Sequence, residues 1–296
     1  MERYVIFADS GCDIAVPVLA DMGIRHMNLT FSFVGEAEDT AHTKEDVSPK
    51  EFYDAMRAGR RIRTFAVSID EYRNAFAKEF EKGNDVFYLA FSSGLSSTFS
   101  AALAAAEKLK EAYPDRRAVI CDSLSASAGY GMLLYLAVRK KNAGADIDEL
   151  KAYCEGIRLN VCHCITVDDF AYLRREGMVG AATALVGTLF GVKPVFHIDN
   201  NGHLKNVSKV RGRKAAINTL ADKLGEFRDE TIGGEIFISH ADCRNDANEL
   251  AHMIEERYGV TPELITRIGP IIGSHSGPGT LAVFFLGKGR LKSDDR

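Results

Sequence analysis

Residues 86–91, VFYLAF, are an unbroken apolar run with the character of a buried strand, and they lead directly into Ser92-Ser93-Gly94-Leu95-Ser96-Ser97-Thr98 and a helical stretch beginning at about 96. A strand followed at once by a helix is the repeating unit of a parallel sheet, because parallel neighbours need a crossover that returns the chain to the same edge. The junction also places hydroxyls and free backbone N–H groups where the partial positive charge of a helix N-terminus would favour an anion. Serine and threonine equally serve as helix caps, so this loop by itself is open between capping and ligand binding.

The pattern recurs through the first half. YVIFA (4–8) enters Asp9-Ser10-Gly11-Cys12-Asp13 and a helix with Pro17 in its first turn, and a short apolar run spans about 26–33. Ser48-Pro49-Lys50-Glu51 and Ser68-Ile69-Asp70-Glu71 read as capping boxes opening two helices, the second closed by Gly83, with Thr64 in the connection between them. Strand RRAVIC then precedes a helix over about 125–140, and Asp146-Ile147-Asp148-Glu149 opens another to about 159. The second half mixes units: strand CITV, a small-residue helix at 182–190, VKPVFHID turning at Asn200-Asn201-Gly202 into HLKNVSKVR, then helices from 214 and 246 between further strands. The expected fold is therefore α/β in two domains, a parallel-sheet N-terminal domain over 1–158 and a mixed-sheet C-terminal domain over 159–296.

Composition removes several function classes. With 37 basic and 41 acidic side chains, the chain lacks the electrostatic footprint of a general nucleic-acid binder. Basic runs at 57–63 and 209–214 read as solvated surface, or as a face for an acidic partner. No apolar stretch approaches a membrane span, and MERYVIFADS lacks the regions of a signal peptide, so a cytoplasmic protein is expected. The six cysteines fit buried free thiols, and Cys162-His163-Cys164 does not read as a metal site because neighbours on a strand face opposite ways. No metal or cofactor is expected.

Four loops carry small, hydroxyl-bearing or ionisable residues at strand ends: Asp9 to Asp13, the serine loop, 122–131 and Gly273-Ser274-His275-Ser276-Gly277-Pro278-Gly279-Thr280. In a doubly wound sheet such loops converge beyond the carboxyl ends of the strands. The last is expected to be a rigid glycine- and proline-bounded loop holding His275 at a fixed angle. The nucleophile elbow, the dinucleotide-binding glycine fingerprint and the phosphate-binding P-loop are all absent. Hydroxyls and a histidine around an anion, without that machinery, favour binding over turnover.

Seven segments taken in order along the chain resemble the DegV family: Asp9-Ser10, the stretch from Phe91 to Thr98, Asp122-Ser123 with Ser127, Asp168 to Leu173, Val210 to Ala215, His240-Ala241-Asp242, and Gly273 to Thr280. The resemblance implies a two-domain α/β protein that holds one long-chain fatty acid between its domains and, as the acyl-carrying subunit of a bacterial fatty acid kinase, presents it to a separate ATP-using subunit in phospholipid metabolism. Carried over to this chain it implies a carboxylate held by Ser93, Thr64 and His275, with Ser92, Ser96, Ser127 and Arg211 as secondary candidates and transient contact with a membrane surface. An alternative is a serine-dependent hydrolase or acyltransferase using Ser93 or Ser96 with His275; a third reading is a regulatory module docking a partner through 209–214. Two departures stand out. The family's Thr-Ser-Gln-Pro-Ser is here Thr64-Phe65-Ala66-Val67-Ser68, and its Gly-Gly-Arg-Ile is Glu176-Gly177-Met178-Val179, with Met178 in place of an arginine that could neutralise an acyl-phosphate.

Overall fold

The computed structural model describes residues 3–37, 40–175, 177–179 and 191–291. The helix expected at 182–190 lies outside the described residues. Two sheets dominate. The first is all parallel, in the order β2 (Ile24–Met27), β1 (Tyr4–Asp9), β5 (Asp85–Ala90), β6 (Ala118–Asp122). The second is mixed: β11 (Leu264–Arg267), β10 (Ile236–His240), β12 (Leu281–Leu286), β7 (Val161–Thr166), β8 (Val192–Ile198), β9 (Leu204–Arg211), with only β10 and β11 parallel.

The central strand of each sheet divides its side chains between two cores, as the period of two requires. In β5, Phe87 and Leu89 face one cluster, while Val86, Tyr88 and Ala90 face the other. In β12, Ala282, Phe284 and Leu286 join the first of those clusters, and Leu281, Val283 and Phe285 a third. Such strands have no solvated face, which is why both read as continuous apolar runs.

The cluster common to both sheets is built around α5 (Ser127–Asn142), which packs against β10, β7 and β12 of one sheet and α6 (Ile147–Ile157), itself on β6, of the other. Of its 16 residues 11 are buried, so it is enclosed on nearly every side rather than amphipathic. Helices α3 (Ile69–Glu81) and α4 (Thr98–Leu109) cover the outer face of the parallel sheet. On the outer face of the mixed sheet lie α8 (Arg213–Phe227) and α9 (Arg244–Tyr258). The three capping boxes are present at Ser48/Glu51 on α2 (Pro49–Arg57), Ser68/Glu71 on α3 and Asp146/Glu149 on α6.

Three local expectations differ from the structure. The run at 26–33 is two strands, β2 and the separate β3 (Thr30–Phe33). Thr64 is not in a connecting loop: it belongs to β4 (Ile62–Phe65), antiparallel to β3. Ile62 and Thr64 are half-buried and Arg63 and Phe65 exposed, the alternation of a strand with one covered face. His275 likewise sits on a helix, α10 (Pro270–Ser276), rather than in a loop. Pro270 at its first position and Gly277, at φ 86°, just past its end are the ordinary start and stop of a helix.

Candidate functional site

The loops leaving β1, β5 and β6 gather beside α10. Asp9, at the end of β1, organises them: one carboxylate oxygen accepts the Gly11 N–H at 2.9 Å, the other the Tyr88 hydroxyl at 2.5 Å and the Phe91 N–H at 3.2 Å. Burial pushes the Asp9 carboxyl up, and the bond from Tyr88 works against that. The chain after Phe91 thus leaves β5 at a fixed angle.

A cavity of about 300 Å³ opens there between the two sheets, at the lower end of the ~300–1,000 Å³ usual for small-molecule sites. Partly exposed Thr64, Phe65, Ser96, Ser97 and His275 line its accessible side. Buried Ala126, Ser127, Ala282 and Phe284 lie at its depth. Between them the wall is aliphatic, with Leu95, Ile165, Val167, Ile268, Ile271 and Ile272 contributed by both sheets. Among the described lining residues there is no lysine, arginine, aspartate or glutamate.

Polar side chains gather at the accessible side. Thr64 Oγ1 stands 3.2 Å from His275 Nε2, bringing together two residues 211 apart in the chain. Ser96 Oγ accepts both the Thr98 hydroxyl, at 2.9 Å, and the Thr98 N–H, at 3.3 Å, which leaves its own proton to be donated. The other candidates have different places. Ser93 is exposed and does not line the cavity; its N–H donates to Asp122 Oδ1 at 3.2 Å. Ser92 is buried, its hydroxyl donating to the Gly202 carbonyl at 2.9 Å, which ties the tip of the β8–β9 hairpin to the serine loop. Arg211 is exposed at the end of β9 and also lies outside the lining. Met178 does line the cavity, whereas Arg174 and Arg175, on α7 (Ala171–Arg175), are exposed and do not.

Ser127 lines the deep wall, held from behind by Asp13. Its hydroxyl donates to Asp13 Oδ2 at 2.5 Å and lies 3.1 Å from Ser239 Oγ. Asp13 also accepts the Gly269 N–H at 2.8 Å from the mixed-sheet side. Burial pushes this carboxyl up to about 6, with the Ser127 and Gly269 bonds opposing the rise. Asp13 ends the first of the four loops singled out in the sequence, which assigns it no role of its own; in the structure it sits at a left-handed turn, φ 53°, where few residue types sit comfortably. Because the folded value lies above the unfolded one, folding binds a proton between about pH 4 and 6. The favourable contribution is complete below about pH 4 and lost as pH rises through 6. Asp13→Asn should therefore remove on the order of 3 kcal/mol from the pH 4 to pH 7 change in stability, about two pH units at ~1.4 kcal/mol each. Urea unfolding of both proteins across that range measures it; equal slopes would show that Asp13 does not titrate there.

Among the described residues no cluster could hold a metal ion, and no helix is long and apolar enough to cross a membrane.

A parallel and a mixed sheet sharing one buried helix, with an apolar cavity between them whose described lining residues carry hydroxyls and an imidazole but no charge, define a two-domain α/β protein. The chain belongs to the DegV family: the family model, described as an uncharacterised protein of that family, matches residues 3–288. A DegV domain-containing protein of Clostridium perfringens is 38% identical over 287 residues, 97% of this chain and 98% of that protein. Among solved structures, a Thermotoga maritima protein described as having a fatty acid binding function superposes with a TM-score of 0.81 at 26% identity, over 97% of this chain and 100% of that one. DegV of Bacillus subtilis, described as a fatty acid binding protein, does so with a TM-score of 0.81 at 25% identity, over 97% and 100%.

Proposed function

We propose that this protein is a cytoplasmic carrier of one long-chain fatty acid, with the acyl chain in the cavity between the sheets and the carboxylate at Thr64, His275 and Ser96. The observation that carries the reading is the pairing of an aliphatic cavity, without charge among its described lining residues, with donors on its accessible side. A carboxylate only accepts hydrogen bonds, so hydroxyl and imidazole donors can satisfy it without a full counter-charge. The chain supplies the affinity: at ~0.8 kcal/mol per buried CH₂, about fifteen methylenes contribute on the order of 12 kcal/mol before ordering costs. Relatives described as fatty-acid binders support the ligand class.

Ser96 takes the place the resemblance gave to Ser93, because it lines the cavity with a proton to donate. Exposed Ser93 and the engaged Ser96 oxygen favour binding over a serine nucleophile. Presentation of the acid to a separate kinase subunit is the next step of the proposal, and Met178 shapes it. An acyl-phosphate carries more negative charge than a carboxylate, and the described lining offers no cation, so the partner would supply it.

Mass spectrometry of an organic extract of the purified protein should find one C14–C20 fatty acid per chain, and the delipidated protein should take one back. Recovery of no lipid, together with failure of the delipidated protein to bind oleate, would overturn the reading.

A further inference from the structure

The residue that joins the segments around the cavity does not itself line it. Arg290 follows β12 and is 7% exposed. One of its terminal nitrogens, Nη2, donates to Leu124 O at 2.7 Å, to Ser125 Oγ at 3.2 Å and to Arg158 O at 2.9 Å. The other, Nη1, reaches Ile198 O at 3.4 Å and stands 3.1 Å from His163 Nδ1. These partners belong to four segments: the loop after β6, the end of α6, the end of β8 and the middle of β7. Three of the segments are cavity wall, since Ala126 follows Ser125 directly and Ile198 and Ile165 of β7 themselves line the cavity.

A guanidinium in this setting is not explained by packing. Among the described residues no carboxylate makes a direct ion pair with it, Asp199 and Asp122 favouring its charge only from a distance, and a buried cation without a contacting anion is poorer for stability than an apolar side chain of the same volume. What it offers is a rigid fork of five donors that can engage carbonyls from several directions at once. Burial pulls the group down to about 10, so it remains charged at neutral pH. The same region carries a second cross-link, the Ser92 hydroxyl on Gly202 O, and Ser92 N–H donates to Ser125 O at 3.1 Å. Serine loop, 123–126 loop and hairpin tip thus meet at one junction, and Arg290 spans it.

We propose that Arg290 is a positioning residue that latches the β6–α5 loop to the β8–β9 hairpin and so sets how readily the cavity opens between the sheets. The ligand half of this inference rests on the fatty-acid reading; the latch itself does not. Arg290→Met keeps the length of the side chain and removes the donors, and Arg290→Lys keeps the charge but gathers its donors on one nitrogen.

Amide hydrogen exchange on the full-length chain tests the latch without ligand. In Arg290→Met, peptides covering 123–127 and 198–204 should exchange at least 10-fold faster, while those in α3 and α9 stay within 2-fold of the original protein. Arg290→Lys should show the same peptides with a smaller change, which keeps the test decisive if the methionine variant fails to fold. Unchanged exchange at those peptides, or an equal increase along the whole chain, would overturn the proposal. In parallel, cis-parinaric acid should leave Arg290→Met about 10-fold faster than the original protein, with its thermal midpoint moved far less than the release rate. Equal release rates would overturn the inference. A delipidated original protein that binds no parinaric acid would instead count against the fatty-acid reading, with the exchange result still deciding the latch.

Discussion

Thr64→Val combined with His275→Leu should weaken fatty-acid binding on the order of 100-fold or more, the largest effect expected of any pair of changes in the cavity. Each original group can donate a hydrogen bond to a carboxylate, and bonds to charged groups contribute ~1.5–3 kcal/mol. Both substitutions leave apolar surface facing an anion that must still be desolvated. Because the two groups already stand 3.2 Å apart, they act as a unit, and the double variant should lose less than the sum of the single ones. Ser96→Ala should cost about 10-fold, and Ser93→Ala should leave affinity within about 2-fold, since that side chain is exposed and outside the lining. Titration of delipidated protein with oleate measures all four. Affinity close to the original in the double variant would remove the carboxylate from this end of the cavity.

Gly129→Ala should destabilise the fold by about 2–3 kcal/mol, although alanine is the better helix former by ~1 kcal/mol. A β-carbon at position 129 would overlap His163 Nε2 and stand 2.7 Å from Phe284 Cδ1. Both neighbours are buried, on strands of the mixed sheet, and cannot swing away. Overpacking of a filled core typically costs 1–3 kcal/mol, and here it acts where α5 meets the mixed sheet. Gly156→Ala in α6 is the internal control: nothing lies within 4 Å of its added carbon, so it should stabilise by ~0.5–1 kcal/mol. Urea unfolding of the two variants reads opposite signs if the close approach of α5 to β7 and β12 is as described; two stabilised proteins would contradict it.

Much of the architecture was legible because its signals are local. A strand such as VFYLAF announces burial on both faces, and the three capping boxes fix helix starts to the residue. The family resemblance points to Thr64 and His275, and both line the cavity, but on a strand and a helix rather than in the loops the sequence suggests. Only the second carries a short-range signal, the proline and glycine bounding 270–277; Ile62-Arg63-Thr64-Phe65 does not alternate apolar with polar, and its strand is set by pairing with β3. What could not be read is what depends on contacts between distant segments. Nothing in Ser92-Ser93-Gly94-Leu95-Ser96 says which hydroxyl turns inward; that is decided by Gly202, Asp122 and Thr98, which claim Ser92, the Ser93 N–H and the Ser96 oxygen respectively. The role of Asp13 and the place of Arg290 were invisible for the same reason, since their partners lie as far as 256 and 166 residues away.

The placing of α5 between the sheets limits how this molecule can breathe. A clam-shell hinge needs two bodies that each keep a closed interior when they part, and here the inner faces of both sheets are finished by the same helix. Swinging one sheet away would strip that helix from one of them and bare Phe237 and Phe284, or Phe87 and Leu89, to water. The motions left are those of the rim: the short strand carrying Thr64, and the hairpin tip and serine loop once the bonds of Ser92 and Arg290 that tie them are released. A ligand therefore passes through a doorway that moves within a frame that does not.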